Sequence, residues 1–322
     1  MTTLLQRSQQ AWRDIGGLHT AEEIAQQPAL WSALATTTLL THPELYLDAS
    51  APTLLVSFAR SGDSQESLAA VNLVRELVPG ARLLNITCNA GGRLAVEGAD
   101  DPNTFTLLMP AASCDRGFAM TSSFTCMLLA ALGVLGKGDQ LDRIAALSQL
   151  AERALLAWEA PVAALGGTVA ERVVYLGSGP LEGLAKESAL KLLELTGGRV
   201  TAMANTPLGF RHGPKSVLNG ESVVFVFNSG RALSRRYEAD LVEEVRRDGI
   251  ARRILTIGPG GDIDIDTPSL SDAWLAPLWL LFAQQYALHL SATLQLTPDN
   301  PFASGTVNRV VKGVTIYRHD AS

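Results

Sequence analysis

The sequence predicts an α/β fold built from two tandem, doubly wound, parallel sheets. Short apolar runs of strand type recur along the chain, and each is followed by a loop containing glycine or serine and then by a helical pattern. Strands that alternate with helices form βαβ units, in which helices cover both faces of a parallel sheet. A long helical region at about residues 121–165 divides the strands into two groups, so we expect two such sheets.

Taken in order, the predicted elements begin with an amino-terminal helix at residues 21–34 and end with a buried helix at 274–290. Gln284, Gln285 and His289 make this last segment, WLAPLWLLFAQQYALHL, a better buried helix than a membrane span. Six apolar runs between the two helices are predicted strands: TLLVSF (53–58), RLLNIT (82–87), TFTLLM (104–109), RVVYLG (172–177), SVVFVF (222–227) and RRILTIG (252–258).

We place the domain boundary near Gly166–Gly167, which gives a helical segment at 1–35, a first subdomain at 36–165 and a second at 166–322 that includes the carboxyl-terminal tail. The halves do not match fully. The second opens with RVVYLGSGP and a helix, whereas the first begins with TLLVSF, the counterpart of the later strand SVVFVF. The first subdomain is therefore expected to lack its opening strand, loop and helix.

Composition narrows the classes of function. The chain has 322 residues, 47% of them hydrophobic, and a formal net charge of -6. This charge disfavours nucleic acid and anionic membranes as partners and leaves a small ligand open. The amino terminus has no apolar signal-peptide region, and three cysteines without CxxC spacing argue against disulfides or structural zinc. We expect a cytoplasmic protein with reduced thiols.

One loop has the composition of a phosphate site. ARSGDSQES, residues 59–67, follows an apolar strand and precedes a helix. Ser61, Ser64 and Ser67 supply hydroxyls, Gly62 permits close backbone approach, and the helix amino terminus offers unpaired N–H groups. The alternative is an ordinary loop in which Asp63 or Ser64 caps the helix. A second glycine loop, LGSGP at 176–180, misses the GxGxxG pattern, so nicotinamide binding is not supported.

A second group of residues could transfer protons. Glu187, Lys191 and Glu194 lie at intervals of four and three, on one face of a helix that is followed by the basic stretch FRHGPKS at 210–216. A carboxylate and the His212 imidazole at one rim would suit proton transfer, whereas the alternatives are a solvated ion pair and a structural histidine. The tail at 297–317 is expected to become helical; it either packs on the sheet or brings a cation to the substrate.

These motifs together resemble the sugar isomerase (SIS) domain family. ARSGDSQES is similar to its phosphosugar loop, and LGSGPLEGLAKESALKLLEL with GFRHGPKS is similar to the second SIS repeat of glucosamine-fructose-6-phosphate aminotransferase. The closer resemblance, from about Thr36 to Tyr317, is to galactosamine-6-phosphate deaminase/isomerases, also called tagatose-6-phosphate ketose/aldose isomerases. It implies two flavodoxin-like SIS subdomains, no metal or other cofactor, and a homo-oligomer, dimer or tetramer.

The resemblance also implies roles for individual residues. Ser61, Gly62 and Ser64 would bind the substrate phosphate, with Arg60 and Ser67 at the edges of that site. Glu194 matches the carboxylate that moves a proton between C1 and C2, His212 the histidine that assists ring opening, and Lys191 a lysine close to the carboxylate. Lys312 falls near a carboxyl-terminal lysine of the aminotransferases. The family's GxGTS-type loop has no counterpart here, which is the lost opening segment noted above.

The implied activity converts D-galactosamine 6-phosphate into D-tagatose 6-phosphate and ammonia, as part of amino sugar catabolism. Two alternatives stay open. One is a non-catalytic SIS sensor of phosphosugars, as in transcription regulators. Such regulators usually carry a basic DNA-binding segment, and the first fifty residues have only Arg7 and Arg13 as fixed cations, too few to bind the phosphate backbone of DNA strongly. The other is a paralogue that binds the sugar without turnover.

Overall fold

The computed structural model describes residues 3–35, 53–311 and 313–317. Its strands are β1 (Thr3–Leu4), β2 (Arg7–Ser8), β3 (Leu54–Ala59), β4 (Arg82–Thr87), β5 (Thr104–Leu108), β6 (Arg172–Leu176), β7 (Thr201–Asn205), β8 (Ser222–Phe227) and β9 (Arg253–Ile257). Its α-helices are α1 (Gln9–Asp14), α2 (Leu18–Ala25), α3 (Gln27–Leu34), α4 (Gln65–Leu77), α5 (Arg93–Ala99), α6 (Ser122–Leu135), α7 (Gln140–Gly166), α8 (Pro180–Leu195), α9 (Pro207–Arg211), α10 (Ala232–Asp248) and α11 (Asp272–Thr293).

The predicted α/β class with parallel sheets is confirmed, and all six predicted strands are present with ends that shift by one residue at most. The amino-terminal helix is two helices, α2 and α3, because Pro28 lacks an amide donor and is suited to the first turn of a new helix. The helical tail is wrong: the described residues after Phe302 form no helix, and Gly305 and Gly313 adopt positive φ angles there.

The chain forms two compact units. The larger unit comprises residues 1–25, 116–119 and 149–301, and the smaller unit comprises 26–115, 120–148 and 302–322. Each unit combines segments that are distant in sequence, and the contiguous boundary expected at Gly166–Gly167 remains a prediction. Within the described residues, no helix is long and apolar enough to cross a membrane.

The sheet of the larger unit has helices on both faces. Its four parallel strands run in the order β7-β6-β8-β9. On one face, Val174, Val224 and Val226 pack with Phe210 of α9 and with Leu241, Val242 and Val245 of α10. On the other face, the Phe225 ring contacts Phe282 and Tyr286 of α11, and α11 packs against α8. Because side chains alternate along a strand, α8 and α11 lie on one face and α9 and α10 on the opposite face.

The sheet of the smaller unit has three parallel strands in the order β3-β4-β5. The central strand β4 is almost entirely buried, whereas β3 is half-buried and its Phe58 is 49% exposed. Both β3 and β8 are followed by a serine-glycine loop and a helix, but β8 lies between β6 and β9 while β3 forms a sheet edge among the described residues. No described strand of this unit takes the place that β6 takes beside β8.

Candidate functional site

The predicted phosphate loop follows β3 in the smaller unit, and hydrogen bonds fix its backbone carbonyl groups in place. Its backbone carbonyls bond to the loop after β4 and to the start of α5: Arg60 O accepts from Cys88 N at 3.3 Å, Ser61 O from Asn89 Nδ2 at 3.0 Å and Gly62 O from Leu94 N at 3.0 Å. Gly62 has a φ of +69°, which favours glycine. Gly92 lies against this backbone, and a Cβ there would be 2.2 Å from Ser61 O.

The hydroxyl groups of this loop are placed for a ligand. Ser64 is the residue before the first turn of α4, yet its side chain forms no capping hydrogen bond within the described chain. Ser61 Oγ accepts from Asp63 N at 3.3 Å, and Ser61, Ser64 and Ser67 are all partly exposed. Because the loop carbonyls are bonded elsewhere, the loop hydroxyls and the α4 amides that follow Gln65 can serve an anion, while Gln65 N itself donates to Val311 O.

Arg60 connects this loop to the tail at 302–317 in the same unit. The residue is 7% exposed, and Nη2 donates to Arg309 O at 3.2 Å, while Nη1 has no hydrogen-bond partner among the described residues. The tail also contacts α4, because Val311 O accepts from Gln65 N at 3.4 Å and Val314 N donates to Gln65 Oε1 at 3.2 Å. Lys312, which the resemblance places near a carboxyl-terminal lysine of the aminotransferases, lies outside the described residues.

The side chains of Glu187, Lys191 and Glu194 on α8 form a buried network and not a solvated ion pair. Lys191 Nζ is 2.5 Å from Glu194 Oε2 and 3.4 Å from Glu187 Oε1. The lysine side chain is 1% exposed, that of Glu187 9% and that of Glu194 20%. Glu194 is therefore the member that solvent or a substrate can reach, and Lys191 orients it.

Burial shapes the charges of this network. The pKa of the Glu187 carboxyl is raised to about 7; burial is the main cause, Lys191 opposes it, and the nearby Glu194 adds to it. Burial acts to lower the pKa of Lys191, but the two carboxylates outweigh it, and the pKa of the lysine rises. Lys191 thus keeps its proton at neutral pH, and the network can gain a proton at Glu187.

The basic stretch 210–216 contacts α10 through ion pairs. Arg211 Nη2 donates to Asp240 Oδ2 at 2.7 Å and Arg211 Nε lies 2.8 Å from Glu244 Oε2. Lys215 Nζ contacts Glu244 and is 2.9 Å from Asp248 Oδ2. Both cations therefore neutralise carboxylates of α10, while His212, at the end of α9, is exposed.

The structure of one chain does not bring Glu194 and His212 together. Glu194 ends α8, which packs with α11 on one face of the four-stranded sheet. His212 ends α9, whose Phe210 packs with α10 on the opposite face. The sheet therefore separates the carboxylate from the imidazole.

Sequence reasoning missed two parts of this arrangement. Glu187 was noticed for its spacing but was not assigned to the site; its position on the Glu194 face of an apolar helix was the available signal. The partners of Arg211 and Lys215 were not identified, although Asp240, Glu244 and Asp248 recur at helical spacing in α10. That recurrence was visible in the sequence, but the element facing it was not.

Comparison with known proteins finds relatives that share one name. The D-galactosamine-6-phosphate deaminase AgaS of Shewanella sp. (strain ANA-3) is 40% identical over 304 residues, 94% of this chain and 78% of that protein. The D-galactosamine-6-phosphate deaminase AgaS of Escherichia coli is 44% identical over 305 residues, 89% of this chain and 78% of the relative. No family model matches the chain.

Solved structures agree. A Clostridium novyi NT protein, provisionally a tagatose-6-phosphate ketose/aldose isomerase, is 35% identical and matches with a TM-score of 0.87 over 99% of this chain and 100% of that chain. The tagatose-6-phosphate ketose/aldose isomerase of Escherichia coli is 38% identical, with a TM-score of 0.76 over 94% of this chain and 84% of that chain.

Proposed function

The chain belongs to the family of D-galactosamine-6-phosphate deaminases and tagatose-6-phosphate ketose/aldose isomerases, and from this membership we propose that it converts D-galactosamine 6-phosphate and water into D-tagatose 6-phosphate and ammonia. The buried Glu187–Lys191–Glu194 network is the observation that carries the proposal. A carboxylate held by a fully buried ammonium group is costly to bury and is typical of a functional site. The finer class is a hydrolase acting on a C–N bond.

Binding of the substrate rests on the loop at 60–67. Its hydroxyls and the amino terminus of α4 would hold the phosphate, and the buried Arg60 would add a positive charge at the edge. The hydrogen bonds that fix the loop carbonyls would keep the loop preorganised for a phosphate.

Glu194 is the proposed base. After ring opening, the carboxylate takes the C2 proton and an enolamine forms, and the same proton is returned to C1 to give a ketimine. Water then adds to the C2–N double bond, the C–N bond breaks, and ammonia leaves together with the ketose phosphate. Lys191 would keep the carboxylate oriented throughout, since its ammonium group is 2.5 Å from Glu194 Oε2.

His212 is the proposed acid and base for ring opening, and we assign it to the site of a second copy of the chain. Its exposure makes it available to a neighbouring molecule, and the sheet separates it from the Glu194 of its own chain. The homo-oligomer expected from the sequence is therefore part of the proposed function.

The replacement Glu194→Gln tests the proposal, because the amide keeps the shape of the side chain and cannot accept the C2 proton. We expect ammonia release from galactosamine 6-phosphate to fall by at least about a hundredfold. Substrate protection against thermal unfolding should persist in the variant. A variant as fast as the parent would remove Glu194 from the mechanism, and protection without turnover in the parent would identify a binding protein.

A further inference from the structure

The larger unit contains a cavity of about 370 Å³ at the carboxyl ends of its strands. The loop after β6 contributes Ser178, the segment after β7 contributes Thr206 and Leu208, and α10 contributes Leu233, Ser234 and Tyr237. All of these residues belong to the larger unit. The volume lies within the range of small-molecule sites in proteins.

The topology of the sheet explains why a cavity forms there. The strand order is β7-β6-β8-β9, so β6 and β8 are neighbours at the centre of the sheet. The connection from β6 leads outward to β7 at one edge, and the connection from β8 leads outward to β9 at the other edge. The helices after β6 and β8, α8 and α10, pack on opposite faces, so the loops diverge and leave a crevice between them. Open α/β sheets bind ligands at such a reversal of strand order.

This cavity is separate from the proposed catalytic carboxylate. Ser178 and Gly179 immediately precede α8, and Glu194 lies at the far end of the same helix. At 1.5 Å of rise per residue, the fourteen residue steps from Pro180 to Glu194 span about 21 Å. A ligand in the cavity would therefore not contact Glu194.

The charge near the cavity argues against a phosphate. Asp272 Oδ1 accepts from Gly230 N at 2.7 Å, its Oδ2 accepts from Ser229 Oγ at 2.6 Å, and Glu238 Oε2 accepts from Ser229 N at 2.9 Å. These two buried carboxylates occupy the hydrogen-bond donors of the loop after β8. In the corresponding loop after β3, such donors are left for a ligand. Among the described residues that line the cavity, none is lysine or arginine.

The lining suits an uncharged hydroxylated ring. Thr206, Ser234 and Tyr237 carry hydroxyls for a ligand; Thr206 Oγ1 already accepts from Gly209 N at 3.0 Å and keeps its proton to donate. The Ser178 hydroxyl hydrogen-bonds to the Glu238 carboxylate and offers a ligand only its lone pairs. Leu208 is 46% exposed, Leu233 66% and Tyr237 47%, which provides apolar walls. A pyranose has hydroxyls at its edge and C–H groups on its faces, and it matches both features.

We propose that this cavity binds a neutral pyranose that carries no phosphate, at a site distinct from the proposed catalytic residues. The test is isothermal titration of the full-length protein with N-acetylgalactosamine and galactose, and in parallel with inorganic phosphate and galactosamine. We expect saturable binding of one of the neutral sugars and no competition by phosphate. Absence of neutral-sugar binding, or binding of only phosphate or the cationic amino sugar, would overturn the proposal.

Two variants locate the binding. Tyr237→Ala removes one wall and Ser234→Leu fills the cavity, and each should weaken the sugar at least about fivefold. Glu243→Ala, on the exposed side of α10, is the matched control and should bind like the parent. Tyr237 is half exposed, so folding should survive, and circular dichroism checks it. Unchanged affinity in both cavity variants would place the sugar elsewhere and refute the assignment.

Discussion

Mixing two inactive variants tests whether one catalytic site uses two copies of the chain. Glu194→Gln removes the proposed carbon base, and His212→Asn removes the proposed ring-opening group. In one chain these residues lie on opposite faces of a four-stranded sheet. If they act on the same sugar, they must come from different copies.

The expected recovery follows from this separation. In an equal mixture with random subunit exchange, half of the sites draw an intact Glu194, and half of those draw an intact His212 from the partner. About one quarter of the parental activity should return in an unselected mixture. In oligomers selected to contain both variants, between about one quarter and one half should return, with about one half expected for a dimer. Residues of a single-chain site would always carry one defect, and no activity would return.

The assay is ammonia release from galactosamine 6-phosphate after the two variants are co-expressed with different affinity tags and purified through both. The control pairs Glu194→Gln with Lys191→Met, because both changes lie on α8 and no combination restores an intact helix. Mass spectrometry of the intact oligomer verifies mixing. Mixed oligomers that remain inactive would refute the assignment of His212 to a second copy.

Three further predictions concern the network, the loop and the basic stretch. Burial raises the Glu187 pKa from 4.5 to about 7, so the folded protein holds this proton more tightly, and its stability falls as pH rises from 4.5 to about 7. In Glu187→Gln, the free energy of unfolding, measured with urea, should decline less over this pH range than in the parent, by up to about 3 kcal/mol. The same decline in both proteins would contradict this prediction. Ser64→Ala should raise KM about tenfold with kcat nearly unchanged, whereas Ser32→Ala on the exposed surface of α3 should leave both constants as they are; a lower kcat alone would argue against phosphate binding. Lys215→Ala should cost about 0.5–1 kcal/mol and keep activity within about twofold, because its ion pairs with α10 are partly exposed; a large loss of turnover would show that Lys215 belongs to the site.

Several features were predictable because they depend on neighbouring residues. The central strand β8 contains the contiguous apolar run VVFVF, and burial on both faces favours that pattern. The spacing of Glu187, Lys191 and Glu194 places them on one face of a helix, and the structure joins them. Gly62 needs a positive φ for the turn after β3, which glycine permits.

The sequence by itself determined the parallel α/β class, most strand positions and the alignment of the α8 carboxylates, because each is set by periodicity within one segment. Only the tertiary structure decided that Lys191 is fully buried, that Arg211 and Lys215 bond to α10, and that His212 lies across the sheet from Glu194. These features depend on which elements pack against each other. Residues far apart in the chain meet only after the sheet has ordered its strands, and local spacing carries no record of that order.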